Sequence, residues 1–533
     1  MTDTTGDTTT DTIEPEGPAS LEEASFVEYG IEDKPPLLEA IFLGFQHYLT
    51  MIGANIAVPL ALASAMNMPT GQTAQFVGTF FVVSGVATLA QTTFGNRYPI
   101  VQGATFSMLA PALAIIAVIG AGWRTTLLEL QGAVIAACAV EVVVGYLGLM
   151  GRLKKYLSPV VIAPTIALIG LSLFGVPQIT DVNAGVAGAQ QDWWLLGLTL
   201  GLIVLFSQYL NDRRAFRLFP VLLGVVSAWF IAFVLSWTGF YAPSAPGYVN
   251  YGQVVRADLI QPVMPLQWGI PQFTLPYIIG MFAGVVASMV ESFGDYHAVA
   301  RLSGVGAPSR RRIDHGIGME GLASVFAGIM GTGNGSTSYS ENIGAIGLTG
   351  VASRYVVQIG AVVMLVVGFV GYFGQLVATI PAPIVGGLFI AMFGQIAAVG
   401  LSNLKYVDMD SSRNLFIVGL ALFAGLAIPA YIGQIGVGVE QSGAEVFQAG
   451  LRGVAVVGPV LGTDLVANTL YVILGTGMAV GGIVAFVLDN TVEGTREERG
   501  LEAWEAITED EGEFRSAFER FGSERGTDSS RAD

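Results

Sequence analysis

Gly331–Gly350 reads GTGNGSTSYSENIGAIGLTG, and this stretch decides how the rest of the chain is read. It is dense in glycine, serine and threonine, and it carries one acid, Glu341, beside Asn342. Apolar runs long enough to cross a bilayer lie on both sides. A bilayer tolerates irregular backbone only where it is buried in protein or lines a cavity. An ionisable residue at membrane depth marks a functional site by default. The stretch therefore predicts the substrate site of a membrane transporter.

Composition agrees with a membrane chain. Hydrophobic residues make up 53% and charged residues 12%, against about 25% charged in soluble domains. Runs of about 20 apolar residues, the length a bilayer core demands, recur along the chain. Residues 1–34 hold 10 acids and one base, and residues 489–533 hold 14 acids and 6 arginines. The tails thus carry the whole net charge of -17, and the segment between them is neutral. Residues 1–35 are expected to be an acidic, disordered cytoplasmic tail, and 489–533 a second acidic cytoplasmic tail. Trp504, Phe514, Phe518 and Phe521 fall at roughly helical spacing in the latter. The N-terminus has neither a basic start nor an early apolar core, so no cleaved signal peptide is expected. One cysteine, Cys138, excludes an intrachain disulfide.

The chain reads as an all-α polytopic membrane protein of fourteen transmembrane segments. Seven lie in 36–238: 39–63, 73–94, 100–119, 127–150, 158–176, 193–210 and 218–238. Seven lie in 274–488: 275–300, 315–331, 338–350, 355–378, 384–402, 414–432 and 455–488, the last with a glycine-rich break expected near Gly475–Gly482. Residues 239–273 form the longest outer loop. With the N-terminus cytoplasmic, 14 of the 17 basic residues between the tails fall in cytoplasmic loops, as the positive-inside rule requires. Both termini are then cytoplasmic. An odd number of segments per half inverts the second half relative to the first. The third segment of each half begins with small and polar residues, at Pro99–Ser107 and at Ser336–Glu341. Paired, non-helical breaks at matching positions point to a transporter's midplane site.

Five acids lie inside the apolar spans: Glu141, Glu291, Asp295, Glu320 and Glu341. No lysine or arginine sits at comparable depth. A carboxylate that gains and loses a proton is what a cation-coupled carrier needs. Glu291 and Asp295 are four residues apart and share a helix face. Asp295 also lies near the basic loop, where a pair with Arg301 would be a structural role. Glu141 stands alone, and a structural hydrogen bond is its expected role. GTGNGS has the look of a phosphate-cradling loop, but no Gly-Lys-Ser/Thr follows. A flexible break in a span fits it better.

At these residues the chain resembles the nucleobase–ascorbate transporter family of xanthine/uracil permease type. ENIGAIGLTG, from Glu341, is similar to the family signature of an acid, Gln or Pro followed by Asn-x-Gly and then Thr. Gln46-His47 looks like its Gln-His pair, and VESFGDYHAVARLSG like its segment 8 motif. The resemblance covers nearly all of 36–488 and neither tail. It implies two inverted repeats arranged as a core domain, segments 1–4 and 8–11, and a gate domain, segments 5–7 and 12–14. It implies that Glu291 and Glu341 hold the substrate, completed by backbone N–H groups near Phe106 and Ser340, with Tyr339 and Asn342 in the same site. Asp295 and Glu320, with Glu291, fall where members couple a cation. His47, with Gln46, falls where a histidine arranges the site. It also implies a homodimer through the gate domain.

Uracil and xanthine suit such a site. A carboxylate accepts from ring N–H groups, backbone N–H groups donate to ring carbonyls, and Phe106 can stack on the ring. Ascorbate carriers of the family have Pro where this chain has Glu341, and an acid there opposes an anion. The co-transported ion is expected to be a proton, with sodium as the rival. An anion carrier of the same architecture should offer cations and few acids. A membrane enzyme would need a metal-ligand set or a nucleophile–base pair. His47, His297, His315 and Cys138 do not supply one, so no metal, cofactor or nucleic-acid partner is expected.

Overall fold

The computed structural model describes residues 27–150, 156–180, 192–438 and 441–502. The aromatic residues Trp504, Phe514, Phe518 and Phe521 and the basic residues Arg152, Lys154 and Lys155 lie outside the described residues. The protein is a helical polytopic membrane protein. Its principal helices are α1 (Leu37–Ala65), α2 (Thr70–Thr93), α3 (Leu109–Ile119), α4 (Trp123–Tyr146), α5 (Pro159–Leu171), α6 (Trp193–Val204) and α7 (Pro220–Trp237). They continue with α8 (Leu275–Leu302), α9 (Arg310–Met330), α10 (Ser340–Thr349), α11 (Arg354–Phe369), α12 (Gly371–Ala378), α13 (Ala382–Ser402) and α14 (Ser412–Gln434). The last three are α15 (Gly443–Arg452), α16 (Asp464–Leu474) and α17 (Gly477–Thr491). Among the described residues, seven helices are long and apolar enough to cross a membrane: α1, α2, α4, α7, α8, α13 with the turn that follows it, and α14.

Two strands interrupt the helices, so the structure is not purely α. β1 (Gln102–Ala104) precedes α3, and β2 (Ser336–Ser338) precedes α10. They pair antiparallel, Gln102 opposite Ser338 and Ala104 opposite Ser336. Glycines that leave a helix in the left-handed conformation set the entry to β2: Gly331 ends α9 at φ +92°, a backbone shape L side chains avoid.

The helices pack in two groups. α1, α2, α8 and α9 contact the strand pair, and α4, α11 and α12 pack against these helices. α5, α6, α7, α13, α14 and α17 pack on one another beside them. Close helix contact in lipid depends on small residues, and both groups use it. A Cβ on Gly44 of α1 would lie 2.8 Å from the Gly360 nitrogen of α11. A Cβ on Gly425 of α14 would lie 2.8 Å from the Gly477 carbonyl of α17. α16 and α17 meet at 89° across Gly475–Thr476, where a glycine-rich break was expected. α16 packs on α8 and α3, while α17 packs on α5 and α14.

Three expectations need correction. The run expected at 355–378 breaks at Val370, between α11 and α12. There the outer loop intrudes, with Gln261 N–H donating to the Phe369 carbonyl and Gly371 N–H to that of Leu259. The tail boundaries are also wrong. Val27–Pro35 is bound to the helices, with Glu32 ion-paired to Arg97 and Arg354. At the other end Asp489 is fully buried, ion-paired to Arg413 and Arg499 and bonded by the Ser158 hydroxyl at 2.7 Å. Acid-rich composition predicts solvation, yet Glu32 meets two buried arginines and Asp489, itself buried, meets two half-buried ones. Glu141 is the third. Both its oxygens are buried with no hydrogen-bond partner among the described residues, so the structural bond expected for it is not made.

Candidate functional site

The strand pair is three residues long on each side, too short to hold itself together. It lies among apolar helices, where each unpaired backbone group is costly. Five side chains from separate elements meet that need. Val101 N–H donates to Asn342 Oδ1 at 2.9 Å, Gln102 N–H to Thr88 Oγ1 at 2.9 Å, and Ala104 N–H to Asn55 Oδ1 at 3.2 Å. Past the end of the ladder, Asn334 stands in for a strand. Its Oδ1 accepts from Thr105 N–H at 2.9 Å, and its Nδ2 donates to the Thr105 carbonyl at 3.1 Å. Ser324 Oγ serves Ser336 in the same way, accepting from its N–H and donating to its carbonyl. Asn334 thus fixes the residue just before Phe106. Asn334→Ala leaves both groups of Thr105 without that partner, at about 1–3 kcal/mol each. The expected result is loss of uptake together with a lowered unfolding temperature; wild-type uptake by the variant would remove Asn334 from the site's support.

A cavity of about 710 Å³ opens where the strand pair and the starts of α3 and α10 face α5 and α13. Phe106, Glu291, Asp295, Tyr339, Ser340 and Glu341 line it from the strand side. Ile162, Ile166, Gln395, Ile396 and Val399 line it from α5 and α13. The exposed side chains of Arg301 and Lys405 contribute to the lining as well. Phe106 meets Phe393 of α13 edge-on, with ring centroids 5.9 Å apart, so one aromatic contact joins the two helix groups beside the cavity.

The acids differ in what they touch. One oxygen of Glu291 is buried with no hydrogen-bond partner among the described residues, which leaves it able to accept from a ligand. Glu341 sits in the first turn of α10, where the helix dipole favours a negative charge and the backbone N–H groups have no intrahelical acceptor. Asp295 is not paired with Arg301. Its oxygens accept from Ser338 Oγ and Ser340 Oγ, both at 2.7 Å. Ser338 Oγ also lies 3.2 Å from Ser292 Oγ, which in turn lies 2.9 Å from Thr337 Oγ1. Ser292 Oγ donates to Glu320, whose other oxygen accepts from Gln102 Nε2 at 2.9 Å. A chain of hydroxyls therefore links Asp295, at the cavity, to Glu320, which is 0% exposed behind it.

Six of the residues expected in the site come together at the cavity: Glu291, Asp295, Glu341, Phe106, Tyr339 and Ser340. Four do not line it. Asn342 turns away, bonding Val101 and, at 3.0 Å, His47 Nδ1. His47 is buried behind it, Gln46 is half-buried on α1, and Glu320 lies beyond the hydroxyl chain. The Asn342 amide thus bonds the residue just before β1 and His47 of α1, and does not face the cavity. Tyr339 is partly corrected. Its hydroxyl donates to the Ala104 carbonyl at 2.8 Å, and a Cβ on Gly103 would collide with its ring, so it presents ring surface rather than a free hydroxyl. Gln395, Ser292, Ser338 and Asn334 were missed. Gln395 had a signal, as the lone amide in the apolar run AMFGQIAAVG.

Comparison with known proteins supports one reading of this arrangement. Residues 38–434 match the model of the xanthine/uracil permease family, described as a permease family. Solute carrier family 23 member 2 of Homo sapiens is 41% identical over 527 residues, covering 89% of this chain and 76% of that protein. Solute carrier family 23 member 1 of Rattus norvegicus is 39% identical, covering 93% and 85%. Nucleobase-ascorbate transporter 1 of Arabidopsis thaliana is 34% identical, covering 91% and 93%. Among solved structures, the transmembrane domain of the cyanobacterium bicarbonate transporter BicA is similar at a TM-score of 0.51 and 18% identity, covering 75% of this chain and 99% of that one. The murine solute carrier 26 family member A9, an anion transporter in the inward-facing state, gives a TM-score of 0.55 at 13% identity, covering 74% and 66%. At such identities the shared feature is the fold alone.

Proposed function

This chain belongs to the permease family of the nucleobase–ascorbate transporters, and from that premise we propose that it imports a nucleobase such as uracil or xanthine, coupled to a proton, by alternating access. The observation that carries the reading is the pair Glu291 and Glu341 lining one cavity with Phe106. Two carboxylates accept from ring N–H groups, the start of α10 donates to ring carbonyls, and the Phe106 ring offers a stacking face. A buried site that pairs these groups rejects bases that leave one unpaired.

The architecture we infer is fourteen segments in two inverted repeats, 36–238 and 274–488, with both termini cytoplasmic in the cell membrane. The helix group around the strands is the core domain, and the group containing α5 and α13 is the gate. Rocking of one against the other exposes the cavity to each side in turn. A homodimer through the gate domain belongs to the same proposal.

Sodium coupling is a second reading, favoured by one observation. Asp295, Ser338, Ser292, Thr337 and Glu320 form a cluster that offers only oxygen atoms, the ligand type a sodium ion takes. An ascorbate substrate is opposed by the three carboxylates at the cavity, since like charges across a site disfavour binding. Uptake of radiolabelled uracil, xanthine and ascorbate into vesicles holding the protein tests the assignment. Uptake of at least one base, with ascorbate excluded, is expected; uptake of ascorbate alone would overturn it.

A further inference from the structure

The residues just ahead of α1 bind where the two site-bearing elements end. Val27–Pro35 runs along the corner between α10 and α11. Glu28 and Tyr29 N–H both donate to the Gly350 carbonyl, at 2.8 and 3.2 Å. The Tyr29 carbonyl accepts from Ala352 N–H at 2.8 Å, and that of Ile31 from Arg354 N–H at 3.1 Å. Ser353 Oγ donates to the Asp33 carbonyl at 2.6 Å. This segment is thus bonded to the chain immediately after α10, the helix whose first turn holds Ser340 and Glu341.

Glu32 carries the bonding across to the other element. One of its oxygens accepts from Arg354 Nη2 at 2.7 Å and Nε at 3.1 Å. The other accepts from Arg97 Nη2 at 2.9 Å. Arg97 is 6% exposed and Arg354 7%, so a half-exposed carboxylate bridges two buried guanidinium groups. Arg97 stands at the turn that leads into β1, at a φ of +61°, a left-handed conformation that a residue with a side chain keeps only where its surroundings enforce it. β1 runs on to Phe106. One carboxylate therefore ties the chain entering β1 to the chain leaving α10.

We propose that Glu32 is a positioning residue for the substrate site, setting the separation between Phe106 and Ser340–Glu341 from the far ends of their elements. The proposal rests on the reading of the cavity as the nucleobase site. Without the negative charge, two like-charged arginines share the space around residue 32 and push the two corners apart. The strand pair must then shift, because one corner leads into β1 and the other is joined to β2 through the short helix α10.

The test uses the full chain in vesicles, with Glu32→Gln and Glu32→Asp. KM, Vmax and the preference between uracil and xanthine are measured alongside the unfolding temperature. Glu32→Gln is expected to raise KM by about tenfold and to change the preference between bases, with Glu32→Asp between it and wild type. Salt gives a second arm that needs no variant. Raising choline chloride from 0.1 to 1 M shortens the screening length from about 10 Å to about 3 Å. Wild-type KM should then move toward that of Glu32→Gln, while the variant's own KM stays fixed. A folded Glu32→Gln protein with wild-type KM and preference, losing only thermal stability, overturns the proposal: Glu32 would then merely pin the fold. Should the variant not fold, a wild-type KM indifferent to choline chloride overturns it as well. A wild-type protein that carries neither base fails the functional reading itself, and this proposal with it.

Discussion

Glu291→Gln is expected to abolish uptake while leaving folded protein in the membrane. The side chain reaches the cavity from the middle of α8, with one oxygen committed to no protein partner among the described residues. The amide has nearly the shape of the acid, so packing is conserved. Its chemistry is not: an acceptor-only group becomes a mixed donor and acceptor. A ring N–H that met a carboxylate oxygen can now face an NH₂ group, donor against donor. Losing one charge-assisted hydrogen bond and leaving the ligand's donor unpaired removes about 3 kcal/mol, close to a hundredfold in affinity. The variant also cannot carry a proton at this position. Near-normal uptake by Glu291→Gln, with wild-type expression in the membrane, would take Glu291 out of the site.

Glu341→Gln is expected to change which base is carried. Glu341 occupies the first turn of α10 and lines the same cavity, so in the proposed site it would meet the ring from another element than Glu291. Uracil and xanthine differ in how N–H and C=O groups alternate around the ring. Exchanging one acceptor for a donor should shift the ratio of uracil to xanthine uptake by about tenfold, the scale of one hydrogen bond matched or mismatched, or abolish both. Proline is tolerated in a first helical turn, so the backbone at residue 341, in the first turn of α10, accommodates it. Glu341→Pro should therefore keep α10 and lose both bases. Unchanged rates for every base in Glu341→Gln would show that position 341 does not touch the substrate.

The legible part of this chain was charge set against apolar surroundings. Glu291, Asp295 and Glu341 stand out because an acid in an apolar run has few reasons to be there, and all three line the cavity. The polar starts at Pro99–Ser107 and Ser336–Glu341 were legible for the same reason, as small polar residues where lipid should favour leucine. Which of them pair was not. Gln102 meets Ser338 from 236 residues away, and no local pattern records a partner so distant. Asn342 and Glu320 show the other limit. Their residue types and motif positions suit a ligand, but whether an amide faces a cavity or a strand depends on neighbours such as Val101 and Ser292 that only the fold assembles. Glu32 and Asp489 were lost to the averaging of the tails, since acid-rich composition hides an acid that is held by a pair of arginines.

The proposed function requires this chain to concentrate a nucleobase at the expense of a proton gradient. The direct measurement is accumulation of radiolabelled uracil and xanthine in sodium-free vesicles under an imposed inward proton gradient. Accumulation of at least one base above its outside concentration, collapsing when a protonophore is added, is the predicted result. No accumulation until sodium is supplied would contradict it, and would turn the oxygen cluster of Asp295, Ser292 and Glu320 from a proton path into a sodium site.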